Sequence, residues 1–120
     1  MTTNVQARNN VKVFGRGTQP MLFAHGFGCD QNMWRFITPA FEDEYPIVLF
    51  DYVVGGRWTL SAYLLTRYAT LDGYAKDVVE ICTELDLRDV IFVGHSVSSM
   101  IGVLAAKEAP ERFSRIIMIG

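Results

Sequence analysis

A serine hydroxyl does nucleophilic chemistry only where the backbone presents it and neighbouring groups activate it. The segment Gly94-His95-Ser96-Val97-Ser98 meets the first requirement. It follows the apolar run Val90-Ile91-Phe92-Val93 and leads into a helical pattern lined by Met100, Ile101, Leu104 and Ala105. A Gly-x-Ser-x-small sequence between strand and helix describes a nucleophile elbow, a sharp turn with the Ser96 hydroxyl at its tip. The last position packs helix against strand and needs a small residue, which Ser98 is. The amide of Val97 then points to where negative charge would develop on a carbonyl oxygen under attack. Upstream, His25-Gly26-Phe27-Gly28 also joins a strand pattern to a helical one. In such a loop the residue after His-Gly lends its amide to the same oxygen, so Phe27 and Val97 are the expected oxyanion donors. Removing one such donor typically costs about 3 kcal/mol of transition-state stabilisation. The predicted chemistry is acyl transfer through Ser96.

The groups that would activate Ser96 are not evident. The two histidines, His25 and His95, each already belong to a motif. His25, Gly26 and His95 read as pocket-lining or supporting residues, and His95, directly before Ser96, is expected to project away from the hydroxyl. No triad aspartate or histidine is assigned within residues 1–120, and without a base a serine is a poor nucleophile near neutral pH. The 120-residue chain is therefore expected to be inactive alone. Asp51 ends a strand pattern and reads as a support for neighbouring loops. Cys29 has no histidine assigned to it. Gly26-Phe27-Gly28 with a downstream Asp51 resembles part of a dinucleotide fingerprint, but Gln31 stands where the third glycine belongs, so no cofactor is expected. No metal-ligand spacing occurs.

The elements that must hold these residues are short apolar strands alternating with helical patterns. Strands are predicted at Val11–Phe14, Met21–Ala24, Ile47–Phe50, Val90–Val93 and Arg115–Ile119. Strands apolar on both faces and separated by helices predict an α/β fold, a mostly parallel sheet with helices on either side. Leu71, Tyr74, Val78, Ile81 and Leu85 step at helical spacing, a core-facing stripe with Asp77, Glu80 and Glu84 on other faces. Asp30 reads as the N-cap of a further helix carrying Trp34, Ile37 and Phe41, its regularity limited by Pro39. The last strand has interior character with nothing after it to cover its edge, which invites self-association, a partner chain, or a longer polypeptide.

Composition narrows the function classes. Half the residues are hydrophobic and 20% are charged, which is ordinary for a folded domain, and 120 residues bury a core as one domain. A net charge of −2 without a basic run gives no footprint for nucleic acid or anionic membrane. No apolar run approaches a membrane span, and the N-terminus lacks the apolar stretch of a signal peptide. Two cysteines, Cys29 and Cys82, fit reduced thiols in a cytoplasmic protein.

Longer stretches carry a resemblance. Phe23-Ala24-His25-Gly26-Phe27-Gly28-Cys29-Asp30-Gln31, Leu49-Phe50-Asp51-Tyr52-Val53, Arg67-Tyr68, Thr70-Leu71-Asp72-Gly73-Tyr74-Ala75 and Phe92-Val93-Gly94-His95-Ser96-Val97-Ser98-Ser99-Met100-Ile101-Gly102 together resemble one branch of the α/β-hydrolase fold family. That branch holds the bacterial energy-stress regulator RsbQ and the plant karrikin and strigolactone receptors, and Ser98 marks its receptor side. The resemblance, from about Arg8 to Gly120, implies an eight-stranded mostly parallel sheet under a helical lid. Residues 1–120 would be the N-terminal part of that single domain, with the lid, the last two strands and the triad Asp and His outside it. It implies slow hydrolysis of a small apolar ester or lactone coupled to stress signalling, and a phosphatase partner of the RsbQ kind. One stretch departs from the branch: Val54-Gly55-Gly56-Arg57-Trp58 with Leu64-Leu65, where relatives are small and polar, adds expected apolar surface.

Overall fold

The structure is a computed structural model that describes residues 4–53 and 67–120. The apolar stretch at 54–58 and the pair at 64–65 lie outside the described residues. Among the described residues, five strands form one sheet: β1 (Lys12–Gly15), β2 (Met21–Ala24), β3 (Pro46–Leu49), β4 (Val90–His95) and β5 (Phe113–Ile119), in the order β1-β3-β2-β4-β5. β1 runs antiparallel to β3, and the other neighbours are parallel. Among the described residues, three α-helices accompany them: α1 (Val5–Arg8), α2 (Leu71–Glu84) and α3 (Ser98–Glu108).

Side chains alternate across a strand, so a strand buried on both faces feeds two cores. Leu22, Ala24, Val48, Phe50, Val90 and Phe92 face one way, where Val78 and Ile81 of α2 and Ile101 and Ala105 of α3 pack on them. Met21, Phe23, Ile47, Leu49, Ile91 and Val93 face the other way, around the buried Trp34. The mixed α/β sheet with flanking helices is as the apolar runs predict. Its α-helices, however, gather on the first face among the described residues. Trp34 and Tyr45 cover the second.

The difference lies in the segment after Asp30. Asp30 does cap, its carboxylate accepting from the Asn32 amide at 2.9 Å. The chain beyond it forms two 3-10 turns, Gln31–Trp34 and Thr38–Ala40, rather than an α-helix. Pro39 has no amide to continue a helix, and Ile37 and Phe41 remain exposed, so burial supplies no force to complete one. On α2 the apolar stripe packs inward, and Asp77, on the face beside it, is fully buried as well. Arg67 lies 2.6 Å from its Oδ1 and Arg8 3.2 Å, and the Tyr68 hydroxyl donates to Oδ2 at 2.7 Å.

The strand before the elbow is longer than its apolar run. It extends through Gly94 and His95 because β5 offers Met118 and Ile119 as ladder partners. β5 itself lies at the sheet edge, with Ile117, Met118 and Ile119 exposed. Cys29 is exposed and Cys82 buried, both as free thiols, and burial pushes the Cys82 thiol up to about 12 against the pull of Arg112. No helix among the described residues is long and apolar enough to cross a membrane.

Candidate active site

β2 and β4 are neighbours whose ladder ends with Ala24 opposite Gly94, so the two loops after them start side by side. The turn after β4 is tight. A Cβ on Gly94 would stand 2.7 Å from the Ser98 carbonyl oxygen and 2.9 Å from the Ser99 nitrogen, so only glycine lets α3 begin so soon. Ser96 sits at the tip in the left-handed region, φ 59°, which is strained for a side-chain-bearing residue. Its amide donates to the Ile119 carbonyl at 2.8 Å, so β5 braces the elbow. Its side chain is exposed, and its hydroxyl has no hydrogen-bond partner among the described residues.

The loop after β2 closes through a turn in which the Cys29 amide donates to the Gly26 carbonyl at 3.1 Å, with Gly28 at φ 87°. Gly26 is the point of closest approach to the elbow. A Cβ there would lie 2.7 Å from His95 Nδ1 and 3.4 Å from the Ser96 Cβ. Among the described residues, the amides of Phe27 and Val97 donate to no other group. Two uncommitted amides thus belong to the two loops that approach each other at Gly26 and Ser96.

His25 is buried and both its ring nitrogens are engaged. Nδ1 lies 2.8 Å from the Gly26 carbonyl, which can only accept, so Nδ1 carries the hydrogen. The Tyr52 amide donates to Nε2 at 3.2 Å, which fixes the lone pair there. Asp51 Oδ1 lies 3.7 Å from Nε2, beyond a hydrogen bond. The carboxylate is instead taken by the Gln31 amide at 2.9 Å, Gln31 Nε2 at 3.1 Å and Asn10 Nδ2 at 3.0 Å. His25 therefore has no nitrogen left for Ser96. His95 makes no hydrogen bond to Ser96, and its Nδ1 is buried without a partner among the described residues.

Tyr52 stands in one of the stretches that carry the resemblance, without a role assigned to it there; it lies just past the end of β3, where open α/β sheets place functional groups. Its hydroxyl lies 2.8 Å from Ser98 Oγ, which in turn donates to the His25 carbonyl at 2.5 Å. The half-exposed Phe27 ring packs 5.0 Å from Tyr74 and edge-on to Tyr52 at 5.9 Å, and Tyr74 lies 4.9 Å from Tyr68. An aromatic wall thus stands beside the uncommitted amides. No three His, Cys, Asp or Glu side chains among the described residues converge as a metal would need.

Burial raises the phenols of this wall. Tyr52 is held far above its ordinary range, mostly by desolvation; Tyr68 is pushed up to about 12 by burial and its bond to Asp77, and Tyr74 is raised by burial and the nearby Asp77 charge. A raised folded-state pKa contributes stability that is complete below the unfolded value, about 10 for a phenol, and is lost as pH climbs toward the folded one. Phenolate absorbance of the native chain should therefore lag that of the urea-unfolded chain above about pH 10, and stability should fall over the same range. Superimposable titrations would contradict the buried placement of these rings.

The sequence pattern of the alpha/beta hydrolase fold matches residues 19–120. Karrikin insensitive 2 receptor CA of Petunia hybrida is 41% identical over 115 residues, covering 96% of this chain and 43% of that protein. Strigolactone esterase D14 of Arabidopsis thaliana is 42% identical over 117 residues, covering 98% of this chain and 44% of that one. A hydrolase from Oleispira antarctica superposes with a TM-score of 0.88 at 48% identity, over 97% of this chain and 42% of its own. The chain thus spans less than half the length of the relatives it matches.

Proposed function

The chain belongs to the α/β-hydrolase fold family, and from that premise we propose that Ser96 is the nucleophile of an esterase or lactonase acting on a small apolar substrate. The observation that carries this reading is the pair of uncommitted amides, Phe27 and Val97, on loops that meet at Gly26 beside the exposed Ser96 hydroxyl. In the reaction, Ser96 Oγ bonds to the substrate's carbonyl carbon as its proton passes to a base. The carbonyl oxygen takes up negative charge between the two amides. Collapse then expels the alcohol, which regains the proton, and water releases the acid by the reverse steps. In a lactone the expelled alcohol stays tethered. The aromatic wall at Phe27 and Tyr74 suits a flat apolar body.

The base and its acid partner lie outside residues 1–120 in this proposal, which makes these residues the N-terminal part of a single domain. His25 is committed at both nitrogens, and His95 makes no bond to Ser96. The free thiols of Cys29 and Cys82 suit a cytoplasmic setting. Relatives that are receptors support a signalling role, with a phosphatase partner of the RsbQ kind as its candidate.

The test is intact-mass spectrometry of the 120-residue chain after exposure to a fluorophosphonate, with and without free imidazole as a surrogate base. A single adduct that needs imidazole and disappears in Ser96→Ala is the expected result. An adduct without imidazole would show that this chain supplies its own base, and none with imidazole would sink the nucleophile assignment. A second reading, a non-catalytic fragment pairing with another chain, draws on the exposed apolar edge of β5. It predicts no adduct under either condition and a concentration-dependent mass in sedimentation.

A further inference from the structure

Ser98 occupies the position where the Gly-x-Ser-x-Gly pattern carries glycine, and it is fully buried. A buried hydroxyl is costly unless its hydrogen bonds are made. This one makes two. Ser98 Oγ has a single hydrogen, and the His25 carbonyl 2.5 Å away can only accept, so that hydrogen goes to His25. The Tyr52 hydroxyl, 2.8 Å from the same oxygen, must then be the donor to it. Burial keeps the Tyr52 phenol protonated, so the donor persists.

The placement of this relay matters more than its strength. Ser98 directly follows Val97, and the His25 carbonyl is two residues before Phe27. Beyond the β2–β4 ladder, the Ser98-to-His25 bond is the hydrogen bond joining the two loops among the described residues. The His25 ring extends the relay, linking the Gly26 carbonyl to the Tyr52 amide. We propose that Ser98 is a positioning residue whose hydroxyl, held by Tyr52, sets the separation of the Phe27 and Val97 amides. A glycine in its place could not make this tie. The proposal rests on the reading of those amides as oxyanion donors, and two separate readouts keep the claims apart.

The first readout is the limiting rate of imidazole-supported phosphonylation at saturating fluorophosphonate. Ser98→Ala should lower it by about 10-fold to 100-fold, since oxyanion donors act only when aimed within a fraction of an ångström. A side chain that merely stabilises the fold would change the fraction folded and leave the limiting rate of folded molecules alone. Tyr52→Phe should have a smaller effect, and adding it to Ser98→Ala should do no further harm, because the hydroxyl it removes has already lost its acceptor. Thr83→Ala, which deletes a hydroxyl bonded within α2, serves as the control. The second readout is amide hydrogen exchange: Ser98→Ala should speed the Cys29 and Tyr52 amides about tenfold relative to Phe92 in β4. An unchanged limiting rate with unchanged exchange overturns the proposal. Faster exchange with an unchanged limiting rate also overturns it, leaving Ser98 a loop tether only. If the unmutated chain gives no adduct with imidazole, the nucleophile reading fails, and the exchange arm alone decides whether Ser98 ties the loops.

Discussion

Asp77→Ala is expected to remove about 3 kcal/mol of folding stability, at the lower end of the range for breaking a buried ion pair. The carboxylate is fully buried on α2 and sits among two guanidinium groups and a phenol. Arg67 reaches it at 2.6 Å and Arg8 at 3.2 Å, while the Tyr68 hydroxyl donates at 2.7 Å. Removing it strands the phenol donor and concentrates positive charge in a site largely shielded from water. Glu80 moderates the loss, because it holds Arg8 at 2.7 Å and Arg67 at 3.0 Å. Asp77→Asn, which keeps an oxygen for Tyr68 but gives up the charge, should lose less. Urea unfolding monitored by circular dichroism measures both, and an unchanged midpoint for Asp77→Ala would show that the cluster contributes nothing net. Because Arg8 belongs to α1, the alanine variant should also release that helix, seen as faster proteolysis at the N-terminus.

That cluster also shows what the sequence could and could not reveal. Asp77 falls three residues after Tyr74 and four before Ile81, so helical spacing puts it beside the apolar stripe rather than opposite it. Its partner Arg8 lies 69 positions upstream (77 − 8), and no local pattern announces a pairing at that range. The strands were legible for the opposite reason: a run such as Leu22-Phe23-Ala24 is apolar at every position, and a strand buried on both faces needs that. The segment from Asp30 to Phe41 misled because apolar spacing describes a helix only if the stripe finds something to bury against. Trp34 does, and Ile37 and Phe41 do not. At the site, the elbow and the His-Gly loop were legible because each is encoded within five residues. The relay through Ser98, Tyr52 and His25 was not, since it joins residues 46 and 73 positions apart.

The elbow carries the second large effect. Gly94→Ala should cost about 3 kcal/mol, the upper end for overpacking, and should slow imidazole-supported phosphonylation of Ser96 by at least about 100-fold. The new methyl would meet the Ser98 oxygen at 2.7 Å, the Ser98 carbonyl carbon at 2.8 Å and the Ser99 nitrogen at 2.9 Å. All three are backbone atoms, so no side-chain rotation relieves the clash. β4 cannot yield either, because Gly94 is paired with Ala24 on one side and Met118 on the other. The start of α3 must move instead, taking with it the Val97 amide, the Ser96 hydroxyl and the Ser98 tie to His25. Gly102→Ala separates the two consequences. On the same helix, its methyl would press on the Phe92 ring, with the nearest atoms at 2.5 and 2.6 Å. That side chain can shift while the elbow stays in place, so stability should fall and Ser96 reactivity per folded molecule should survive. Equal losses of reactivity in the two variants would mean that helix packing in general, rather than the turn at Gly94, sets the geometry around Ser96.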